Sequence, residues 1–144
     1  MPELVEYRFV VQGNPVPWTV WTRKSEPPSA FLEMQAWQQQ IMAQVRHQWG
    51  ARPRIRGQVA LEVDFYLRWP KTAPQRHAGA IARWRDEHLA MKPDGTNLFK
   101  ACEDAVAAVL FETGDQQVVQ SRMSKGFAGL RQEGYTEIVV KVLG

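Results

Sequence analysis

Gln58-Val59-Ala60-Leu61-Glu62-Val63-Asp64-Phe65-Tyr66-Leu67-Arg68 alternates strictly. Val59, Leu61, Val63, Phe65 and Leu67 take one side; Ala60, Glu62, Asp64, Tyr66 and Arg68 take the other. A period of two is the side-chain period of a strand, so the stretch predicts a strand with one face buried. Pro70 ends it, because proline cannot donate to a ladder. Upstream, Phe31, Met34, Trp37 or Gln38, Ile41, Val45 and Trp49 recur at helical spacing. They predict a helix of about five turns. Ser29 is its expected N-cap, with Leu32 where a capping box has Glu or Gln, and Gly50 is its stop. Glu3 to Val11 reads as a first strand, closed by Gly13-Asn14-Pro15-Val16-Pro17. Trp18 to Pro28 reads as a loop carrying Arg23 and Lys24.

Downstream, Thr72 to Met91 has a weak pattern in which Ala80 to Trp84 make at most a short helix. Leu98 to Leu110 predicts a helix whose apolar stripe is Leu98, Ala101, Cys102, Ala105, Val106, Val109 and Leu110. Val118 to Ser124 and Tyr135 to Leu143 read as strands joined by a Gly-containing loop. The order β-α-β-(α)-α-β-β predicts an α/β (α+β) fold: a single two-layer domain over residues 1–144, with a small mixed sheet packed against helices.

The chain has 144 residues, 44% of them hydrophobic, which is enough for a real core. No run approaches the roughly 20 apolar residues that span a bilayer, so no membrane role is expected. Met1-Pro2-Glu3-Leu4 lacks a basic start followed by an apolar run, and one cysteine cannot form an internal disulfide. Both point to the reducing cytoplasm. Cys102 reads as a small buried hydrophobe. His77 and His88 match no zinc spacing, and His47 lies near a helix end. Gly126, Gly129 and Gly134 fit no phosphate loop, so no nucleotide cofactor is expected. The formal charge is +3, a modest excess that favours anionic partners. Lys71, Arg76, Arg83, Arg85 and Lys92 gather before residue 93, with Trp69 and Trp84 among them, a mixture suited to phosphates and bases. A solvated loop whose tryptophans reach back to the core would look the same.

The chemistry concentrates in Lys92-Pro93-Asp94-Gly95-Thr96-Asn97-Leu98-Phe99-Lys100, then Asp104, then Gly114-Asp115-Gln116-Gln117-Val118-Val119. Asn97, Lys100, Ala101 and Asp104 share one helix face. Asp94 sits at the helix mouth, where orphan N–H groups favour anions. Asp115 precedes a strand, and a strand lying beside the helix could bring Asp115 close to Asp94. Carboxylates of this kind suit hard cations such as magnesium. Plainer readings stay open: Asp94 and Thr96 as helix caps, Lys100 and Asp104 as a surface ion pair, Gly114-Asp115 as a turn.

These segments resemble the signature of the RusA-like Holliday junction resolvases, a family of crossover junction endodeoxyribonucleases common in prophages. The family pattern is roughly Lys-Pro-Asp-x-Asp-Asn-Leu-x-Lys, then Asp-Ala, then Asp-Asp-x-Gln-Val-Val. The matching residues are Lys92-Pro93-Asp94, Asn97-Leu98, Lys100, Asp104-Ala105 and Asp115-Gln116-Gln117-Val118-Val119. Gly13-Asn14-Pro15-Val16-Pro17-Trp18 and Trp69-Pro70-Lys71 are similar too.

The resemblance implies a magnesium-dependent endonuclease, with manganese as an alternative ion, that acts as a homodimer and makes paired nicks in branched double-stranded DNA in recombination and repair. It implies Asp94, Lys100 and Asp115 as catalytic residues. Asp94 and Asp115 would hold the metal. Thr96 stands where the family has its second metal aspartate, and brings no charge. Asp104, one helix face away, is expected to compensate; Glu103, about 100° off, is the poorer candidate. Arg23, Lys24, Lys71, Arg76, Lys92, Asn97, Arg122 and Lys125 are expected to contact DNA. Thr96 also leaves room for a second reading, a branched-DNA-binding protein with weak or no nuclease activity. A protein-interaction module is the third.

Overall fold

The computed structural model describes residues 5–19, 26–70, 73–74, 76–90, 93–130 and 132–144. Its elements are strand β1 (Val5–Gln12), helices α1 (Ser29–Trp49), α2 (Ala78–Leu89) and α3 (Gly95–Leu110), and strands β2 (Val59–Leu67), β3 (Val118–Phe127) and β4 (Tyr135–Val142). β2 lies between α1 and α2 in the chain, and a short 3-10 turn (Asp115–Gln117) leads into β3. The strands form one mixed sheet in the order β1-β4-β2-β3. Among the named strands of the described residues, β2 and β3 run parallel and the other neighbours antiparallel. A parallel pair cannot be closed by a hairpin, and the α2–α3 segment is the crossover it needs. The expected small α+β arrangement is what the chain adopts.

The alternation in β2 does what its period demands. Val59, Leu61, Val63, Phe65 and Leu67 are buried under the helices, and Glu62, Asp64 and Tyr66 lie on the open face, half-buried. In α1 the buried residues are Met34, Trp37, Ile41, Val45 and Trp49, so Trp37 rather than Gln38 takes the core position. Gln38 instead donates to the Ala101 carbonyl of α3 (3.0 Å) and ties the two helices together. Pro28, not Ser29, occupies the N-cap, and Ser29 is the first helical residue.

The β1 edge of the sheet is covered by side chains of α1. Along β1, the Gln44 carboxamide accepts from the Gln12 N–H (2.8 Å) and donates to the Gln12 carbonyl (2.9 Å). Gln48 does the same at Val10 (3.3 and 2.9 Å). Two side chains of α1 thus stand in for a neighbouring strand, which blunts that edge against pairing with other chains.

The Gly13–Trp18 segment clasps the end of the sheet to α3. The Asn14 carboxamide oxygen accepts from the Arg68 N–H (2.7 Å), and the Trp18 N–H donates to the Asn97 carbonyl (3.0 Å). Gly134 is required beneath it: an added Cβ would sit 2.8 Å from the Asn14 Cα and 2.9 Å from the Tyr66 carbonyl oxygen, both backbone atoms that cannot step aside.

Three elements are longer than their patterns predict. α2 runs over twelve residues, Ala78–Leu89, where only a short helix was legible. It buries no residue fully, so it lacks the apolar stripe by which helices are read. α3 starts at Gly95 because the Asp94 side chain caps it. β3 continues past Ser124 to Phe127, kept in register with Phe65 to Leu67.

Candidate functional site

On helix α3 the chemistry divides between the N-terminus and the middle of the helix. At its N-terminus the Asp94 carboxylate accepts from the Thr96 N–H (2.9 Å), satisfying one of the orphan donors of the first turn. The Lys125 ammonium, arriving from the far end of β3, donates to the Pro93 carbonyl (2.9 Å). Further along, Glu103, Asp104 and Asp115 each offer a carboxylate oxygen, and these oxygens all lie within 4.8 Å of one another. Ten residues of helix separate Asp94 from Asp104, an axial rise of about 15 Å. Asp115 therefore lies against Asp104 and Glu103, and the structure does not bring it to Asp94 within one protomer. The chain leaves α3, turns and re-enters the sheet at β3 beside the helix's second half.

That turn is held by one buried side chain. The Gln117 carboxamide oxygen accepts from the Thr113 N–H (2.7 Å) and hydroxyl (3.0 Å). Its nitrogen donates to the Ile55 and Gly57 carbonyls (2.9 Å each). Ile55 is itself zipped to the end of α3: its N–H donates to the Leu110 carbonyl (2.7 Å) and its carbonyl accepts from the Glu112 N–H (3.0 Å). Gln117 thus fixes where Asp115 points. Gly114 sets the direction with φ +109°, a conformation that L side chains rarely adopt. The resembled pattern has an aspartate at that position.

The electrostatics follow from three acids packed together. Burial, then the Asp115 charge and then the Asp104 charge, push the Glu103 carboxyl above its usual range. Burial and then Asp115 push Asp104 up as well, while Lys100 pulls the other way. Lys100 lies one turn before Asp104, with its ammonium 3.8 Å from the centre of the Trp18 ring. A cation over an indole face is attracted by the ring quadrupole, which favours this placement of the side chain.

The remaining expected residues are scattered. Asn97 is half-buried, and its carbonyl is taken by Trp18. Arg122 and Lys125, three apart on β3, point to opposite faces of the sheet. Arg122 meets Glu62 on the open face (3.7 Å), and Lys125 registers with Phe65 on the helix side. Arg76 is exposed just ahead of α2. Arg23, Lys24, Lys71 and Lys92 lie outside the described residues. Sequence reasoning passed over Glu103, since a 100° step from Asp104 placed it off the chosen face. That step leads toward the returning chain, which is where Asp115 arrives. Sequence alone assigns Gln117 no role; a glutamine two residues after the acid, at the root of a predicted strand, is the available signal.

Among the described residues no helix is long and apolar enough to cross a membrane. A comparison with curated proteins finds no match. The family model for the endodeoxyribonuclease RusA matches residues 8–142, nearly the whole chain, and the chain belongs to that family.

Proposed function

We propose that this RusA-family endodeoxyribonuclease hydrolyses phosphodiester bonds in four-way and other branched DNA, with a divalent cation held at the Glu103–Asp104–Asp115 cluster. The observation that carries this reading is the convergence of those three carboxylates, from two separate elements, within 4.8 Å. Carboxylate oxygens at such spacing fit a hard cation. Two of the three are held above their usual pKa by burial and mutual repulsion, so a positive ion would relieve them. Magnesium is the expected ion and manganese its substitute. When bound, it would supply an activated water and charge neutralisation for phosphodiester hydrolysis.

The chain's own residues supply the rest. Asp104 and Asp115 anchor the cation, and Glu103 completes the set. Lys100, steadied on Trp18, lies on the same side of α3 and neutralises charge on the scissile phosphate. Gln117 keeps Asp115 in place. Arg76, Arg122, Lys125 and Asn97, with Arg23, Lys24, Lys71 and Lys92, are proposed as contacts to flanking DNA.

Asp94 and Thr96 need a second copy to take part. About 15 Å of helix for Asp94 and about 12 Å for Thr96 keep them from Asp104 in their own protomer. A homodimer whose α3 helices run antiparallel across the two-fold axis would set the Asp94 end of one copy against the Asp104 end of the other. The test of the activity is nicking of a synthetic four-way junction with magnesium. Cutting by the natural protein and none by Asp115→Asn supports it; no magnesium-dependent cutting by the natural protein refutes it.

One observation favours a second reading, a branched-DNA-binding protein with little cutting. Thr96 is neutral where the resembled pattern is acidic, and one oxygen of the Asp94 carboxylate caps the Thr96 N–H. Thr96→Asp discriminates. A large gain in cutting favours the weakened enzyme, and no gain favours a complete site.

A further inference from the structure

We propose that the open cleft between the Pro15–Pro17 loop and α2 binds an unpaired nucleobase of single-stranded DNA. This rests on the branched-DNA reading and extends it, by naming what is gripped away from the scissile phosphate. The cleft encloses about 920 Å³ and is walled by Pro15, Pro17, Trp84, His88, Pro93 and Phe127. That is the size and apolar character of a site for a small planar ligand.

The first argument is an aromatic ladder that starts on the buried Trp69 and ends at the open cleft. Trp84 packs against Trp69 (5.0 Å between ring centres) and Phe127 (5.3 Å). The His88 ring stacks on Trp84 at 4.0 Å with only 11° between planes. Yet α2 buries no residue fully, and both Trp84 and His88 remain half-exposed at the cleft. A near-parallel pair of rings left partly open continues naturally with another planar heteroaromatic ring, and every base has such a face.

The second argument is the polar equipment. The His88 Nδ1–H donates to the Trp84 carbonyl (2.8 Å), which leaves Nε2 as an acceptor in the neutral ring. The Asn14 oxygen is taken by Arg68, which leaves its amide N–H groups as donors. Glu33 adds a carboxylate to the lining. A few donors and acceptors in an apolar slot suit a base edge.

The third argument is charge and continuity. Arg83 and Arg85 flank Trp84 at about 100° on either side of its helix face. Both are exposed and no ion pair is formed by either among the described residues; Asp86 and Glu87, exposed on the same helix, offset their charge, so the two arginines act as local contacts and not as a net positive surface. Pro93, which walls the cleft, leads directly into Asp94 and carries the Lys125 ammonium on its carbonyl. A strand with one base in the cleft therefore has cations for its phosphates on both sides. Paired duplex hides its base faces and does not fit; the unstacked bases at a branch point do.

The experiment compares a fluorescein-labelled dT12 with an abasic 12-mer of equal charge, by anisotropy, with the full chain at low salt and no divalent ion. The proposal predicts about tenfold or more tighter binding of dT12, the scale of one stacked base. Trp84→Ala and His88→Ala bind the two oligonucleotides alike, while Trp84→Phe keeps the preference. Equal binding by the natural protein, no binding of either oligonucleotide, or a preference that survives both alanine variants overturns it. No cleavage is read, so this failure is separate from failure of the nuclease reading.

Discussion

Asp115 lies against Asp104, near the middle of α3 and well along the helix from the capping Asp94. This single relationship separates a three-carboxylate cluster that could hold a cation from Asp94, which caps the helix. Removing Asp104 or Asp115 from the cluster should be costly. Asp104→Asn and Asp115→Asn are each expected to lower magnesium-dependent junction cutting by at least about a hundredfold, on the scale of losses at metal sites. Steady-state nicking of a labelled junction measures it.

Without a cation the cluster should weaken the fold as it ionises. Glu103 and Asp104 have folded-state pKa values raised above their ordinary 4.5 and 3.8. The folded protein then holds protons that the unfolded chain releases. Their contribution to stability is full below those ordinary values and is lost as pH rises through the raised ones. Both groups are largely solvent-screened, so the loss is on the order of a few tenths of a kcal/mol, or roughly 1–3 °C in Tm. Calorimetry in chelator between pH 4 and 7 should show that decline. Saturating magnesium should reverse it, and Asp115→Asn should reduce it without abolishing it, because burial is the larger cause.

Gln117 is expected to matter more than its sequence context suggests. Gln117→Ala leaves the Ile55 and Gly57 carbonyls and the Thr113 N–H without the partner that now serves them. The expected loss is about 1–3 kcal/mol of stability. Cation affinity should fall with it, because Asp115 loses the turn that aims it. Chemical denaturation and a metal titration on the same variant measure both.

The separation of Asp94 from Asp115 makes a prediction about subunits. If Asp94 serves the partner's cluster, Asp94→Asn and Asp115→Asn proteins are each inactive alone. Mixed and allowed to exchange, their heterodimers contain one intact site. An equal mixture should recover up to about a quarter of the natural site number for a two-fold dimer. Absence of recovery places Asp94 in its own protomer, as a cap only.

Much of this was legible from residue pattern. The alternation in 58–68 and the stripe of α3 located two elements within a few residues, because each buries a regular set of side chains. α2 was nearly invisible for the opposite reason: nothing on it is fully buried. The site was legible in composition but not in geometry. Asp94, Lys100, Asp104 and Asp115 could be picked out by type and spacing, and the resemblance joined them to one chemistry. Which acids meet depended on how the chain turns after Leu110. That turn is decided by Gln117 and by its long-range bonds to Ile55 and Gly57, and no local pattern encodes those partners.

The most direct test of the cation site is a manganese titration followed by the electron paramagnetic resonance of the free ion. The natural protein is expected to bind one ion per protomer with a defined affinity. The Asp104→Asn/Asp115→Asn double variant is expected to lose that site while keeping its fold by circular dichroism. Unchanged stoichiometry and affinity in the double variant would contradict the account.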